Sequence, residues 1–316
     1  MELATCFLHV NGQITVGDLG SFRFVEDPRR REIHRILGST RFLGDGAVAL
    51  DGGLIEVTAG DACAQFNGLV IVGDLLGESE PLVSIPVVAT IKSLALLSGT
   101  LQAANLRMND FFWDAGELAG PLTKSSNRIA ALRTRFDQRL DEVSTKRLTH
   151  AQLTLEDQAE WKAEGTLLLD ATSQVINAGL WKFVAPAVLG NVQGENRGVV
   201  SNQGTIQVQS VGDVVIDVPF QQTGDGSLNV QSGELQLLDS GHSGNASVVV
   251  EEEGTLRLKR EAGQAAAQHR FTDNASLEVF GVPRDRGTLL LDNVLVSSTR
   301  PIQISGGRVI GDGVLD

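Results

Sequence analysis

Tyrosine is absent from this chain of 316 residues, and aromatic residues make up only 5% of it. An aromatic-lined groove for sugars or stacked bases is therefore not expected. No stretch approaches the roughly 18 consecutive apolar residues that a membrane-spanning helix needs. The N-terminal segment lacks the basic start and the long apolar stretch that mark a secretory signal peptide. The sequence thus predicts no membrane span.

Positive charge is scarce, since the formal net charge is −13 at pH 7. Nucleic acid is excluded as an expected partner, because phosphate binding requires a basic patch. One basic cluster is formed by Arg29, Arg30, Arg31 and Arg35. An isolated charge run of this kind usually faces water, so a solvated loop is predicted there rather than an anion site.

Cysteine is nearly absent, with only Cys6 and Cys63 in the chain. Two cysteines are not a disulfide framework, and neither belongs to a Cys-x-x-Cys zinc motif. Whether they pair is left open by the sequence. The five histidines are scattered with no pair at ligand spacing, and no metal or cofactor site is predicted.

Glycine, by contrast, is abundant at 35 residues, and much of it belongs to one recurring phrase. In this phrase a glycine precedes a small or polar residue and then a short run of alternating aliphatics. Its copies begin at Gly99, Gly165, Gly204, Gly226, Gly233, Gly254 and Gly287. Recurrence of one turn-plus-strand unit marks a repeat architecture, so the chain is predicted to be all-β, with each glycine at a corner.

The repeats define the expected organisation of the chain. Residues 1–93 are strand-rich but irregular and are interpreted as N-terminal turns or a cap. Residues 94–316 are predicted to form regular turns, with the phrase returning after about 21, 28 or 33 residues. Pro81 and Pro86 favour a loop or an edge over a central strand. The C-terminal end resembles the opening of another turn, so the chain is interpreted as part of a longer protein.

Residues 127–147 allow two interpretations. Ile129, Leu132, Phe136 and Leu140 follow helical spacing with charged residues between them. Both flanks are strand-like, however, and a helix is not expected within stacked turns. Strand is narrowly favoured over helix, and the sequence alone does not decide between them.

Two residue types are interpreted as structural. Asparagine recurs in four turns, where it tolerates left-handed geometry and its amide bonds from turn to turn. These residues are Asn177, Asn202, Asn245 and Asn274. The tryptophans are predicted to fill the interior rather than to stack on sugars, because buried aromatics contribute large apolar area. They are Trp113, Trp161 and Trp181.

Four segments resemble repeat units of very large bacterial surface and secreted proteins. Residues 112–120 resemble a W-x-G-G-x-L-x-G unit, and residues 146–179 a K-x-L, A-x-W, G-x-L, N-N-A-G series. Residues 230–237 and 248–258 are similar to the V-x-S-G-x-L-x-L unit and the one after it. Such units occur in filamentous-haemagglutinin-type adhesins and autotransporter-like passenger domains. The resemblance implies a right-handed parallel β-helix (β-solenoid), one elongated domain of about a dozen turns, at the cell surface or outside the cell.

Catalysis was considered because parallel β-helices also carry polysaccharide hydrolases and lyases. Hydrolysis needs two or three nearby carboxylates, and no Asp-Asp or Asp-x-Asp pair occurs here. Arg257 and Lys259 have the shape of a substrate clamp and residues 241–243 echo a histidine motif. Without the acids, these are interpreted as solvent-facing side chains and a glycine-rich turn. Residues 251–253 are three consecutive glutamates, interpreted as an acidic turn rather than a calcium site.

The sequence therefore predicts a structural or adhesive extracellular β-solenoid that presents loops for binding and performs no catalysis. No catalytic, cofactor-binding or metal-binding residue is assigned. Surface glycans or other proteins are the expected partners. The alternative is a carbohydrate-active or carbohydrate-binding β-helix.

Overall fold

The structure is a computed structural model that describes residues 2–3, 9–10, 12–25, 33–36, 40–57, 65–73, 80–121, 127–137, 144–192, 197–238, 240–259, 268–282 and 286–316. The chain is 71% strand, and its parallel strands stack as a β-solenoid of about 11 turns. The predicted all-β parallel β-helix is therefore confirmed. Cys6, Cys63, and Arg29 to Arg31 lie outside the described residues.

The chain divides into two compact units, Met1–Thr154 and Leu155–Asp316. The expected change of organisation between residues 93 and 94 stays a prediction. The strands of the first unit are β1 (Glu2–Leu3), β2 (His9–Val10), β3 (Gln13–Thr15), β4 (Ser21–Phe24), β5 (Ile33–Ile36), β6 (Arg41–Leu43), β7 (Ala47–Leu50), β8 (Leu54–Val57), β9 (Gln65–Val72), β10 (Leu82–Leu96), β11 (Thr100–Trp113), β12 (Gly116–Ala119), β13 (Arg128–Phe136) and β14 (Ser144–Thr149).

Three series of parallel pairings run through the turns of the first unit. The first series joins β1, β4, β7, β9, β10, β11 and β13. The second joins β2, β5, β8, β10, β11, β12 and β14. The third joins β3, β6, β9, β10, β11 and β13. Strands β10 and β11 take part in all three series, because each continues around the corners of its turn.

Pro86 lies within the bounds of β10, between the stretch that pairs with β8 (Leu82–Ser84) and the stretch that pairs with β9 (from Thr90), so the prediction of an interrupted position is not contradicted. Strand β10 has partners on both sides, β8 and β9 on one and β11 on the other. The register with β11 shifts between Ile85 and Val88. An irregularity of this kind is where a proline, which has no N–H to donate, is tolerated within a sheet. Pro81 precedes the strand, and its carbonyl oxygen accepts a hydrogen bond from the Thr100 N–H.

The second unit continues the same arrangement with more regular turns. Its strands are β15 (Gln152–Trp161, which begins in the first unit), β16 (Gly165–Leu169), β17 (Gln174–Asn177), β18 (Leu180–Phe183), β19 (Ala187–Asn191), β20 (Val199–Asn202), β21 (Thr205–Ile216), β22 (Phe220–Gln222), β23 (Ser227–Leu237), β24 (Ser240–His242), β25 (Ser247–Lys259), β26 (Gln268–Phe271), β27 (Ser276–Phe280), β28 (Thr288–Asp292), β29 (Leu295–Ser298), β30 (Gln303–Ser305), β31 (Arg308–Gly311) and β32 (Val314–Leu315).

Here too the pairings form three series, which we call A, B and C. Series A joins β15, β18, β21, β23, β25, β27 and β30. Series B joins β16, β19, β21, β23, β25, β28 and β31. Series C joins β17, β20, β22, β24, β26, β29 and β32.

The interior of the second unit consists of side-chain columns that run from turn to turn. In series A, one column holds Trp181, Ile206, Leu228, Val248 and Leu277, which are in register and at most 1% exposed. Neighbouring strands lie about 4.8 Å apart, so each of these side chains packs directly on the one in the turn before. All three tryptophans are fully buried, which confirms the packing role that was predicted for them.

The segment that allowed two interpretations is extended where it is described. Strand β13 covers Arg128–Phe136 and pairs in register with β11, and β14 begins at Ser144. Ile129 and Phe136 face the interior at no more than 1% exposure, whereas Arg133 and Arg135 point outward. The strand interpretation is confirmed for these residues, and Leu140 lies outside the described part of the chain.

The recurring glycine phrase lies where one turn passes closely over the previous one. A Cβ atom added at Gly204 would lie 2.1 Å from the carbonyl oxygen of Gly179 in the preceding turn. At Gly233 the backbone has a φ of +76°, and an added Cβ would lie 2.1 Å from the carbonyl oxygen of Ser210. A side chain at either position would force neighbouring backbones apart, which explains why glycine recurs at these corners.

Candidate functional site

A ladder of polar side chains is buried in series C. Asn177, Asn202, Gln222 and His242 occupy the same register position in successive turns, at the end of their strands. All four are at most 2% exposed. Because a buried polar group without a hydrogen bond costs free energy, the partners of each member decide whether the ladder stabilises the fold.

The amides of this buried ladder hold successive turns together. Asn177 Nδ2 donates to Asn202 Oδ1 at 2.8 Å and to the carbonyl oxygen of Thr205 at 3.0 Å. Asn202 Nδ2 donates to the carbonyl oxygen of Ser227 at 2.9 Å, and Gln222 Nε2 donates to that of Ser247 at 2.8 Å. The three acceptors are the first residues of β21, β23 and β25, so each amide fixes the start of a strand in the following turn.

The other two predicted asparagines form a second ladder, on an exposed corner. Asn274 Nδ2 donates to Asn245 Oδ1 at 3.1 Å, and Asn245 Nδ2 donates to Asp225 Oδ1 at 2.9 Å. At the other end, the Arg300 guanidinium donates to Asn274 Oδ1 at 2.7 Å. The predicted bonding between turns is therefore present in both pairs of asparagines.

The predicted left-handed geometry of the asparagines was wrong. None of the four has a positive φ. The left-handed residues at the exposed corner are instead Gly224, Gly244 and Asp273, each one position before the ladder residue. A glycine or aspartate there sets the turn, which leaves the following side chain extended and available for bonding along the ladder.

Burial predicts very different costs for removing an amide from the two ladders. Asn202→Ala should lower the free energy of unfolding by about 2–3 kcal/mol, because it removes a buried amide that accepts from Asn177 Nδ2 and donates to the Ser227 carbonyl oxygen in the interior. Asn245→Ala removes an amide with similar contacts, but water replaces its partners, and we expect a loss of less than about 1 kcal/mol. Urea denaturation followed by far-UV circular dichroism measures both, and equal losses would contradict the structural role of burial.

His242 connects the buried ladder to a second histidine. Its Nδ1 lies 2.8 Å from Gln222 Oε1, and its Nε2 lies 3.1 Å from the Ser240 hydroxyl. That hydroxyl lies 2.7 Å from Nδ1 of His269, whose Nε2 is 3.4 Å from the carbonyl oxygen of Lys259. The His242 ring also stacks on Phe271, with ring centroids 4.3 Å apart. Burial, together with the nearby His269, lowers the pKa of His242 to about 3.

His242 corrects one expectation from the sequence. It was interpreted as part of a glycine-rich turn, but it lies in strand β24 and is 2% exposed. His242 and His269 are 27 positions apart and belong to the five histidines described above as scattered. Parallel stacking brings them together, since Ser240 and His269 are register partners. Alternation along β24 and β26 places both histidines on the inward face. The register between the two strands could not be predicted from the sequence.

A cluster of charged and amide side chains lies on the outer face of series B. Arg257 Nε lies 2.8 Å from Glu234 Oε1, and Arg257 NH1 lies 3.6 Å from Asp292 Oδ2. Gln236 Nε2 donates to Asp213 Oδ2 at 3.1 Å and to Glu234 Oε1 at 2.8 Å. The structure thus brings three carboxylates together that are distant in sequence. Each of them is held by a side chain of an adjacent turn.

The residues that had suggested a substrate clamp are part of this outer cluster. Arg257 is bound to the carboxylates on either side, and Lys259 Nζ donates to Gln236 Oε1 at 2.9 Å. The glutamate run lies where β25 turns from series A into series B, and Glu251 Oε1 accepts hydrogen bonds from Asn229 and Gln231. Among the described residues, no group of three or more histidine, cysteine or acidic side chains is arranged to hold a metal ion.

In the first unit, one lysine is buried. Lys146 on β14 is 1% exposed, and its Nζ donates to Ser144 Oγ at 2.6 Å and to the carbonyl oxygen of Asp137 at 3.2 Å. Burial lowers the pKa of Lys146 to about 8, although the carboxylates of Asp114 and Asp137 act in the opposite direction. Lys146 is the first residue of the K-x-L unit in the resemblance described above, but that unit gave no indication that its amine is buried.

The described part of the chain contains no helix long and apolar enough to span a membrane. No protein-family model matches this sequence, and neither the curated proteins nor the solved structures include one that is significantly similar to it.

Proposed function

We propose that this chain is a structural scaffold of the cell surface or extracellular space, a stiff β-solenoid whose connecting segments present binding surfaces to glycans or other proteins. The observation that carries the proposal is the bonding between turns. Aliphatic columns, the buried ladder and the exposed ladder each link one turn to the next in the second unit. In a repeat array of this kind, stability is the sum of the turns and of the interfaces between them.

The outer face also supports a structural role. Side chains such as Arg257, Lys259 and Gln236 are engaged with neighbouring turns rather than directed at a shared point in solvent. The net charge of −13 favours solubility of the assembled scaffold. The resemblance to adhesin and passenger-domain repeats supports an extracellular location.

Single-molecule pulling between the two ends tests the scaffold directly. We expect discrete force-bearing transitions, each of which releases one or a few turns, because every turn is held by its neighbours. Asn202→Ala should weaken one of these transitions, whereas Asn245→Ala should leave the pattern unchanged. A smooth extension without force-bearing transitions would contradict a load-bearing role.

The outer charged cluster favours a second candidate, a carbohydrate-active β-helix. Asp213 Oδ2 and Glu234 Oε1 both contact Gln236 Nε2. These two oxygens are therefore at most about 6 Å apart, a bound that admits the separation of about 5 to 5.5 Å in retaining glycosidases but not the wider one of inverting enzymes. One carboxylate would act as the general acid and the other as base or nucleophile. Both carboxylates are already bound by side chains of this chain, Glu234 by Arg257 and Gln236, and Asp213 by Gln236, which is why we place this candidate second.

Reducing-end release from a panel of polysaccharides separates the two candidates. The scaffold predicts no turnover for the wild-type chain, and therefore no difference between the wild type and Glu234→Gln. Turnover that Glu234→Gln and Asp213→Asn both abolish, while Lys162→Met does not, would establish the enzyme instead. Lys162 is a suitable control because its ion pair with Glu160, at 2.9 Å, lies apart from the cluster.

A further inference from the structure

The two asparagines of the exposed ladder share a triplet that the buried ladder lacks. Each begins an Asn-Ala-Ser sequence, at residues 245–247 and 274–276. Asn-x-Ser and Asn-x-Thr, in which x is not proline, are the acceptor sequences for asparagine-linked glycosylation. Of the thirteen asparagines in the chain, only these two have a serine or threonine two positions later. Asn177 and Asn202 have a glycine there instead.

Both triplets lie where an attached glycan would extend into solvent. Asn245 and Asn274 are exposed, and each lies in a turn two residues before a strand of series A. The serine of each triplet is the first residue of that strand, β25 or β27, and is only partly buried. The alanine between them is fully buried. The amide and the hydroxyl of each triplet are therefore both on the outer side of the corner.

The bonds of the exposed ladder leave one hydrogen of each amide for substitution. Asn245 Nδ2 donates to Asp225 in the preceding turn, whereas Asn245 Oδ1 accepts from Asn274 in the following turn. Asn274 has the same arrangement, since its Nδ2 donates to the preceding turn and its Oδ1 accepts from Arg300 in the following one. Because nitrogen and oxygen bond in opposite directions, the ladder uses the hydrogen that is trans to the oxygen.

A glycan on these amides is therefore compatible with the folded ladder. Each amide nitrogen carries two hydrogens. Substitution at Nδ2 gives a secondary amide, which strongly prefers the trans form, so the hydrogen trans to the oxygen is retained and the other is replaced. The retained hydrogen is the one that bonds to the preceding turn. Modification would thus add a group at the corner without removing a contact between turns.

We propose that the exposed ladder is a modification site, with Asn245 and Asn274 as acceptors of asparagine-linked glycans, an inference that rests on the extracellular location proposed above. The donor is a glycosyl diphosphate used by a transferase of the producing cell. Nδ2 attacks the anomeric carbon, so that an N–C bond forms while the C–O bond to the diphosphate breaks. The diphosphate leaves with the bonding electrons, and the amide proton passes to a base of the transferase. No oxidant or reductant takes part.

Mass spectrometry of intact glycopeptides tests the proposal on the whole chain, isolated from the extracellular and the cellular fractions of the cells that produce it. We expect a glycan at Asn245, at Asn274 or at both, in the extracellular fraction. An extracellular chain with both asparagines unmodified would overturn the glycosylation site and leave the proposed scaffold intact. A modified chain found only inside the cell would support the site and contradict the extracellular location. An unmodified chain found only inside the cell would contradict both.

Serine variants made in the same cells assign the modification to the triplets. Ser247→Ala and Ser276→Ala remove the hydroxyl that completes each acceptor sequence, and each should abolish the glycan on its own asparagine while leaving the amide ladder in place. Ser227→Ala is the matched control, because Ser227 is in register with Ser247 but follows Asp225, which has no amide nitrogen. It should leave the glycans unchanged. Glycans that persist at Asn245 in Ser247→Ala and at the other acceptor in Ser276→Ala would overturn the assignment.

Discussion

Replacing Trp113 by alanine is expected to lower the free energy of unfolding by about 3–5 kcal/mol, the range for truncating a buried aromatic residue. Trp113 is fully buried, and its ring centroid lies 5.5 Å from that of Phe111 and 6.1 Å from that of Phe136. It is in register with Leu96 in the preceding turn and with Phe136 in the following one. Removing the indole would therefore open a cavity between three successive turns rather than at one contact.

The preceding residue provides a matched control. Phe112 belongs to the same strand but points outward and is 39% exposed. Phe112→Ala should cost about 1 kcal/mol or less, because it leaves no cavity. Urea denaturation followed by far-UV circular dichroism measures both variants without relying on tryptophan fluorescence. Similar losses for Trp113→Ala and Phe112→Ala would contradict the assignment of one residue to the interior and the other to the surface.

The comparison of Trp113 with Phe112 depends on the alternation of inward and outward side chains along a strand, and this alternation could be predicted from the sequence. Short aliphatic runs after recurring glycines predicted parallel strands, and the tryptophans were assigned to the interior because each lies at a strand position near a glycine turn. Residues 127–147 show the limit of this reasoning, since the seven-residue spacing of Ile129 and Phe136 fits one face of a helix, and both face the interior of β13 only because the inward alternation changes phase within the strand. What decided the matter was pairing with β11, a contact between residues about 23 positions apart.

The buried polar groups were not predictable for a related reason. A strand pattern shows which residues face inward, but not which residues of other turns they meet. Ser240 meets His269 only because the intervening connection brings β26 into register with β24. The length of each connection varies, so register could not be derived from period alone. Pro86 shows the opposite case, because its missing N–H indicated an interruption of regular pairing, and the register of β10 with β11 shifts between Ile85 and Val88.

The stability of the first unit should rise with pH between about 8 and 10.5, because of Lys146. Its pKa is lowered to about 8 in the folded chain, against 10.5 when exposed. Within this window the unfolded chain binds more protons than the folded one, so raising the pH favours the folded state. The shift corresponds to about 3 kcal/mol. The increase begins as the pH passes the folded-state pKa and is complete above the unfolded one.

Urea denaturation at intervals from pH 7.5 to 10.5 measures this increase. Because the chain contains no tyrosine, no phenol titrates between pH 7.5 and 10.5. Replacing both cysteines, by Cys6→Ser and Cys63→Ser, removes thiol titration from the same pH range. Lys146→Met keeps a side chain of similar length without the amine and should flatten the pH dependence. Lys162→Met removes a surface lysine paired with Glu160 and should preserve it. A slope that survives in Lys146→Met would mean that a different group loses its proton, because only the buried amine of Lys146 is removed by that change.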